Sequence, residues 1–252
     1  MNRKERTVVY TCITGRYDHL LPPSVVDPAL DYIAFVTDER IASDVWDIKT
    51  IACDQALGHA KLSRRPKILA HEYLGDYDRS VYVDGNIDII GDVSALIDCH
   101  SGTPFLTFKH PDRDCVYAEG EVCLRSGKGD RRMVLRQLQR YRSAGYPEHN
   151  GLANANVLIR AHNDPSVRRL SELWWSEVRD LSGRDQISLP YASWRSRVPY
   201  ETLGSQNVYG NSDVFAIRSG HRPSASSRWH QLKKRARQVI RRFGRHALPT
   251  RQ

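Results

Sequence analysis

Residues 80–88 read Ser-Val-Tyr-Val-Asp-Gly-Asn-Ile-Asp, and this stretch decides the fold that the sequence predicts. Residues 81–83 are β-branched and aromatic, which is typical of a strand buried in a parallel sheet. The strand is followed at once by Asp84, Gly85, Asn86 and Asp88. Ligands gather at the carboxyl ends of such strands, and clustered carboxylate and amide oxygens suit a hard cation such as Mg²⁺ or Mn²⁺. The alternative is an ordinary Asp-Gly turn.

The composition is that of a soluble globular protein. The chain has 252 residues, of which 40% are hydrophobic and 27% charged, enough for one large α/β domain or two small ones. No stretch approaches the roughly 20 apolar residues of a membrane span, and residues 1–12 lack the apolar core of a signal peptide. The five cysteines form no Cys-x-x-Cys pair. We therefore expect a reduced, cytoplasmic protein without a zinc site or a disulfide framework.

The positive charge is concentrated at the end of the chain. The net charge is +9, and residues 224–252 contain nine Arg or Lys and no acid, which accounts for the whole excess. A neutral body argues against nucleic acid as its partner. We expect a catalytic domain over residues 1–223 and a separate tail over 224–252, joined at the Ser-Ala-Ser-Ser stretch 224–227.

The tail has the pattern of an amphipathic helix. Its apolar residues fall at steps of three and four over 228–246, and basic residues occupy most of the other positions. Such a helix is typical of binding to an anionic membrane surface, here the inner face of the cell membrane. The alternatives are packing on the domain or on a partner, and RNA binding.

The first predicted strand, residues 7–14, ends in a glycine turn. Thr14, Gly15 and Tyr17 are expected to hold a nucleotide, because glycine permits close backbone approach and tyrosine stacks on a base. A plain strand-to-helix turn is the alternative. Further strands are predicted at 32–37, 46–52, 105–108 and 214–217. The strand at 46–52 is expected near an edge of the sheet.

Residues 61–74 have the apolar spacing of a helix, but they contain Pro66. We expect the helix to begin near Pro66, with proline in its first turn. Arg64, Arg65 and Lys67 would then lie at the helix N-terminus, where free backbone N–H groups and cations together favour a diphosphate. A solvated basic face is the alternative.

Chemically capable side chains are densest between residues 109 and 119. His110 and Arg113 are candidates for binding phosphate or sugar hydroxyls. Asp114 and Glu119 are candidates for a base, a nucleophile or a sugar-positioning acceptor. Asp114 is alternatively the N-cap of a following helix.

Three later segments complete the candidate site. Asn154 and Asn156 share one face of a predicted strand and suit sugar hydroxyls, or else they are hydrogen-bonded edge amides. Asp185 is an active-site carboxylate or a helix cap, with Gln186 as its partner amide. His221 is a candidate metal ligand, with an ordinary surface histidine as the alternative.

The order of these motifs resembles a nucleotide-sugar transferase of the A-type glycosyltransferase (GT-A) fold. In particular, the chain resembles the glycosyltransferase-like domain shared by plant mucilage-related Golgi proteins and bacterial polysaccharide-locus proteins. The pieces that match are VVYTCITGRYDHL, DYIAFVTD, KLSRRPKILAHEYL, YVDGNIDI, FKHPDRDCVYAE, NGLANANVLIR and GRDQISLPYA, from residue 8 to about 195.

The resemblance implies one Rossmann-like domain, with a mostly parallel sheet flanked by helices, that uses a nucleotide sugar and a divalent metal. Asp84 and Asn86 would stand for the Asp-x-Asp metal motif, with Asp88 or His221 completing the shell. Gly85, Arg65 and Lys67 would help hold the donor diphosphate, and the bound metal would make that diphosphate a better leaving group.

The predicted function is therefore transfer of a sugar, from UDP-sugar as donor, to a glycan or glycolipid in surface polysaccharide synthesis. Asp185 or Asp114 would stabilise the developing positive charge on the sugar or activate the acceptor, and the stereochemistry is predicted to be retaining. The family also includes a plant member linked to ceramide hydrolysis. A metal-dependent hydrolase of a lipid or glycoconjugate and a non-catalytic nucleotide- or anion-binding module are therefore the alternatives.

Overall fold

A computed structural model describes residues 5–15, 18–204 and 206–218 of the chain. Tyr17, His221 and the predicted tail helix lie outside these residues. The described strands are β1 Thr7–Ile13, β2 Asp31–Val36, β3 Asp47–Thr50, β4 Arg79–Val83, β5 Ile87–Ile89, β6 Phe105–Lys109, β7 Ala153–Arg160, β8 Glu201–Thr202 and β9 Phe215–Ile217.

The described helices connect and cover these strands. They are α1 Gly58–Ile68, α2 Ala70–Tyr73, α3 Val93–Cys99, α4 Val116–Ser126, α5 Arg131–Ser143, α6 Pro165–Asp180 and α7 Asp185–Ser196. Helix α6 starts with Asp164 as N-cap, whose side chain accepts from the backbone N–H groups of Ser166 and Val167, and with proline in the first turn. No helix in the described ranges is long and apolar enough to cross a membrane.

The main sheet has seven strands in the order β3-β2-β1-β4-β7-β6-β8. Strands β3, β2, β1 and β4 pair in parallel, β7 runs antiparallel to both of its neighbours, and β6 pairs in parallel with β8. The predicted α/β fold with a mostly parallel sheet is confirmed. Strands β5 and β9 form a separate antiparallel pair.

Both faces of the sheet are covered, which explains why its strands are apolar throughout. Along β1, Val8, Tyr10 and Cys12 pack on one side with helices α1, α2, α6 and α7. Val9 points to the other side, into a cluster with α3 and the β5–β9 pair. A third cluster joins α4 and α5 to α7.

The order in which strands are added to the sheet reverses between β1 and β4. From β1 it moves outward to β2 and β3, then returns to place β4 on the other side of β1. Such a switch point leaves a crevice at the carboxyl ends of the two strands, where ligands bind in open α/β sheets. Gly15 follows β1 and Asp84 follows β4, so both lie at this crevice.

The predicted start of the first helix is wrong. Helix α1 begins at Gly58 and contains Pro66 in its last turn, and the chain breaks at Leu69, not at the proline. The proline removes one backbone hydrogen bond of α1, and the helix ends two residues later, at Ile68. Arg65 and Lys67 therefore lie at the C-terminal end of α1, where the helix dipole favours cations, and the expected N-terminal anion site does not exist.

Candidate active site

The candidate site residues converge on one edge of the main sheet. This edge holds the carboxyl ends of the parallel strands β1, β2, β3, β4 and β6 and the amino end of the antiparallel β7. The residues at this edge are Thr14 and Gly15 after β1, Asp84, Gly85 and Asn86 after β4, His110 after β6, and Asn154 and Asn156 in the first half of β7.

Lys67 joins two carboxylates at the centre of this edge. Its Nζ lies 2.7 Å from Oδ2 of Asp185 and 3.1 Å from Oδ1 of Asp84. The lysine side chain is only 4% exposed. The Nε atom of Arg64 lies 3.4 Å from Oδ1 of Asp185, and the Tyr82 hydroxyl donates to Oδ1 of Asp84 at 2.9 Å. Asp84 and Asp185, far apart in sequence, thus share one buried cation.

These neighbours keep Asp185 ionised. Burial alone would raise the pKa of Asp185, but the charges of Lys67, Arg64 and Arg184 hold it well below its usual range. Burial and the adjacent Asp84 carboxylate raise the pKa of Tyr82 well above its usual value, so its hydroxyl stays a donor. The N-cap of α7 is Arg184, so Asp185 occupies the first helical position, where the helix dipole also favours an anion.

A buried arginine fixes the end of α1 that carries Lys67. Arg160 of β7 donates to the carbonyl oxygens of Lys67 at 2.6 Å and Ile68 at 3.1 Å, and to the hydroxyl of Tyr10 at 2.5 Å. That hydroxyl in turn donates to the Pro66 and Lys67 carbonyls. Carbonyls that a helix end leaves unpaired are thereby satisfied, and the position of the lysine is fixed by the core.

The two asparagines of β7 lie beside the acids. The backbone N–H of Asp84 donates to the Asn156 carbonyl at 2.9 Å, and Nε2 of Gln186 donates to Oδ1 of Asn154 at 3.1 Å. Nδ2 of Asn154 and Oδ1 of Asn156 are buried without a partner among the described residues. Buried polar atoms of this kind usually have a partner, such as an ordered water or a ligand. The structure thus brings Asp84, Lys67, Asp185, Gln186 and both asparagines together.

A second ionic cluster lies at the end of β6. Arg113 donates to Glu119 at 2.8 Å, and Nδ1 of His110 accepts from the backbone N–H of Arg113 at 3.2 Å. Burial and the neighbouring Arg113 lower the pKa of His110, so the ring is neutral near pH 7. Arg184 lies between the clusters, since it interacts with Cys123 beside Glu119 and donates to Gln186 at 3.3 Å.

Asp114 stands apart from the Lys67 cluster. Its side chain is half exposed and accepts from Nδ1 of His149 at 2.7 Å. The alternative that Asp114 caps the next helix is wrong, because the N-cap of α4 is Cys115. A catalytic role for Asp114 stays a prediction.

A cavity of about 590 Å³ opens at the ends of β1, β2 and β3. The residues that line it are Gly15, Thr37, Asp38, Glu39, Arg40, Cys53 and His59. Gly15 has a φ of +61°, and a Cβ there would lie 2.5 Å from the His59 ring, so the turn requires glycine. Thr14 donates to the His59 carbonyl at 2.7 Å, which ties the turn after β1 to the start of α1.

The described residues do not assemble a divalent-metal shell. No group of three or more His, Cys, Asp or Glu among them is arranged to hold a metal. Oδ1 of Asp84 already accepts from Lys67 and Tyr82. Asp88, which with His221 was a candidate to complete the shell, is ion-paired to Arg218 at 2.6 Å and accepts from the Ser24 N–H at 2.9 Å. Metal binding by Asp84 and Asn86 stays a prediction.

Sequence reasoning missed several residues of this edge. Arg184, Thr37, Asp38 and His59 were not singled out. Thr37 and Asp38 directly follow β2, so the rule that ligands bind at strand ends would have found them. Arg184 and His59 carry no such signal, because long-range packing brings them to the edge.

A comparison with protein families identifies the family to which this chain belongs. The model of the TOD1/MUCI70 glycosyltransferase-like domain matches residues 29–213. The chain belongs to this family. The match includes β2, β3, β4 and β7 and the start of α7, which carry most of the site, and the sheet is that of a Rossmann-like GT-A fold.

A curated relative is similar over part of its length. The probable hexosyltransferase MUCI70 of Arabidopsis thaliana is 24% identical over 170 residues, which are 62% of this chain and 29% of the relative. The chain therefore spans less than a third of the relative that it matches.

Proposed function

We propose that this family member is a glycosyltransferase that moves a sugar from a nucleoside-diphosphate donor, a UDP-sugar by prediction, to a hydroxyl of a glycan or glycolipid. The observation that carries the proposal is the pair of the partly buried Asp84 and the buried Asp185, bridged by Lys67 at the switch point of the sheet. Glycosyl transfer needs a negative charge near the reacting sugar and polar groups that hold the sugar hydroxyls. The ionised Asp185 and the unpartnered amide atoms of Asn154 and Asn156 would supply them.

The cavity beside Gly15 is the proposed nucleoside site. It lies at the ends of β1, β2 and β3, and Gly15 and His59 are among the residues that line it. The diphosphate would then extend from the turn at Gly15 toward Asp84 and the guanidinium of Arg64. This guanidinium lies 3.4 Å from Asp185, whereas the Lys67 ammonium lies 2.7 Å from it.

The sugar is proposed to lie against β7 and the start of α7. Asn154, Asn156 and Gln186 offer amide donors and acceptors to its hydroxyls. Asp185 is ionised and would stabilise the oxocarbenium character that develops as the bond to the diphosphate breaks. We propose a retaining outcome, which the anomeric configuration of the product would decide by NMR.

The test is release of nucleoside diphosphate from a panel of nucleotide sugars, with and without saccharide acceptors. The wild type is expected to turn over one donor, and Asp185→Asn is expected to lose at least about a hundredfold in rate, because a positioned charge on the reacting sugar is removed. Lys61→Met is the control, since this lysine of α1 donates to the Arg179 carbonyl, outside the cluster. Release of nucleoside diphosphate from none of the donors, with or without acceptor, would contradict the proposal.

The basic tail is proposed to hold the protein on an anionic membrane at the cytoplasmic face. The support is its charge and its helical apolar spacing over 228–246. Deletion of residues 224–252 is expected to abolish sedimentation with phosphatidylserine vesicles while donor turnover in solution is unchanged. Equal sedimentation of the shortened chain would refute the proposal.

A further inference from the structure

We infer that Lys67 is the resident cation of the donor site and that this enzyme binds its donor without a divalent metal. The inference rests on the proposed function and departs from the metal dependence that the family resemblance implies. It follows from what occupies the space between Asp84 and Asp185.

The ammonium of Lys67 holds the position between the two carboxylates. It lies within 3.1 Å of an oxygen of each and is almost fully buried. The ring of Tyr82 lies under it, with the nitrogen 4.9 Å from the ring centroid. Three groups, from β4, the turn after β4 and α7, therefore contact one cation.

The position of this lysine is built into the fold. Arg160 and Tyr10, both fully buried, donate hydrogen bonds to the Lys67 carbonyl oxygen. A surface lysine that merely folded onto nearby acids would have no such support. Because the backbone is held at this point, the ammonium is directed at the carboxylates before any ligand binds.

The charges suit a diphosphate without added metal. Lys67, Arg64 and Arg184 act together on Asp185, and with Asp84 the group contains three cations against two acids. Without the lysine, the two carboxylates would repel a diphosphate. Lys67 offsets one of the two negative charges, and Arg64 and Arg184 turn the sum of the five groups positive, which favours phosphate oxygens.

A metal bound through Oδ1 of Asp84 would compete with the Lys67 ammonium and the Tyr82 hydroxyl, which both contact this oxygen. Replacing the ammonium there would break the contact of the almost fully buried lysine with one of its two carboxylates. The other acid of the turn, Asp88, is not available to replace it, because Arg218 and the Ser24 N–H occupy its two oxygens.

The experiment is calorimetric titration of the full chain with UDP, GDP, ADP and CDP, in excess EDTA and in excess Mn²⁺. The nucleotide that binds is expected to have the same affinity in both buffers, within about twofold. Binding seen only with Mn²⁺, or about tenfold tighter with it, overturns the inference. Failure of all four nucleotides in both buffers overturns the proposed donor class instead.

Variants of the lysine give an independent readout. In EDTA, Lys67→Met is expected to weaken nucleotide binding by at least about tenfold, and Lys61→Met to leave it unchanged. Lys67→Arg keeps the charge and is expected to retain more affinity than Lys67→Met, which separates loss of charge from misfolding. Equal affinity of Lys67→Met and wild type in EDTA also overturns the inference.

Discussion

Two amide atoms on β7 are buried without a partner in the described part of the chain, Nδ2 of Asn154 and Oδ1 of Asn156. A protein keeps such atoms unpaired at a cost in stability, because each has lost its water. Their position beside Asp84 and Gln186 is the residue-scale reason to expect sugar hydroxyls there.

Asn156→Ala is expected to weaken binding of the nucleotide sugar by about tenfold, since one hydrogen bond to the sugar is lost. Binding of the free nucleoside diphosphate is expected to be unchanged. Calorimetry with both ligands measures the difference. Asn163→Ala is the matched control, because this amide donates to the Gly75 and Tyr77 carbonyls beyond the opposite end of β7. An equal loss for both ligands would remove Asn156 from the sugar site.

At the scale of elements, the β5–β9 pair supports the turn that carries Asp84. Ile87 to Ile89 pair with Phe215 to Ile217, and the Arg218 N–H donates to the Asn86 carbonyl at 3.1 Å. Gly91 follows β5 and lies against Asp213, which precedes β9. A Cβ at Gly91 would lie 2.2 Å from the Asp213 carbonyl oxygen.

Gly91→Ala is therefore expected to lower the free energy of unfolding by about 1–3 kcal/mol, because backbone must move to admit the methyl group. Urea unfolding measures the change. Gly102→Ala is the control, since a Cβ there meets no atom within 4 Å, and it is expected to be neutral. Similar values for both variants would show that the β5–β9 approach is not tight.

The elements also show what the sequence could and could not predict. Strands β1, β2 and β4 were predictable, because burial on both faces makes them continuously apolar. The start of α1 was not, since proline is favoured in the first turn of a helix, whereas α1 carries Pro66 in its last turn. The contact of Lys67 with Asp185 could not be predicted either. The two residues lie 118 positions apart in the sequence, and their contact depends on how α1 and α7 are placed in the fold.

At the scale of the whole molecule, folding stability is expected to depend on His162. This side chain is 1% exposed and lies 2.8 Å from the Leu74 carbonyl through Nε2. Burial lowers its pKa from 6.5 to about 4. The unfolded chain therefore binds a proton between these values that the folded chain does not, so stability is complete above pH 6.5 and is lost as the pH falls toward 4.

The expected loss is about 3 kcal/mol at the acid end of that window, at about 1.36 kcal/mol per pKa unit. Urea unfolding at several pH values measures it. In His162→Gln the slope between pH 6.5 and 4 is expected to flatten by that amount, while the slope from carboxylates at lower pH remains. An unchanged slope in the variant would show that the folded protein protonates this ring normally.

The most direct test of the central claim is a crystal structure of the full chain with the nucleoside diphosphate that binds it. We expect the nucleoside in the cavity beside Gly15 and Asp38, and the diphosphate near Arg64, with the Lys67 ammonium still between Asp84 and Asp185 and no metal among them. A nucleotide bound away from this edge of the sheet, or a metal ion in the place of the ammonium, would contradict it.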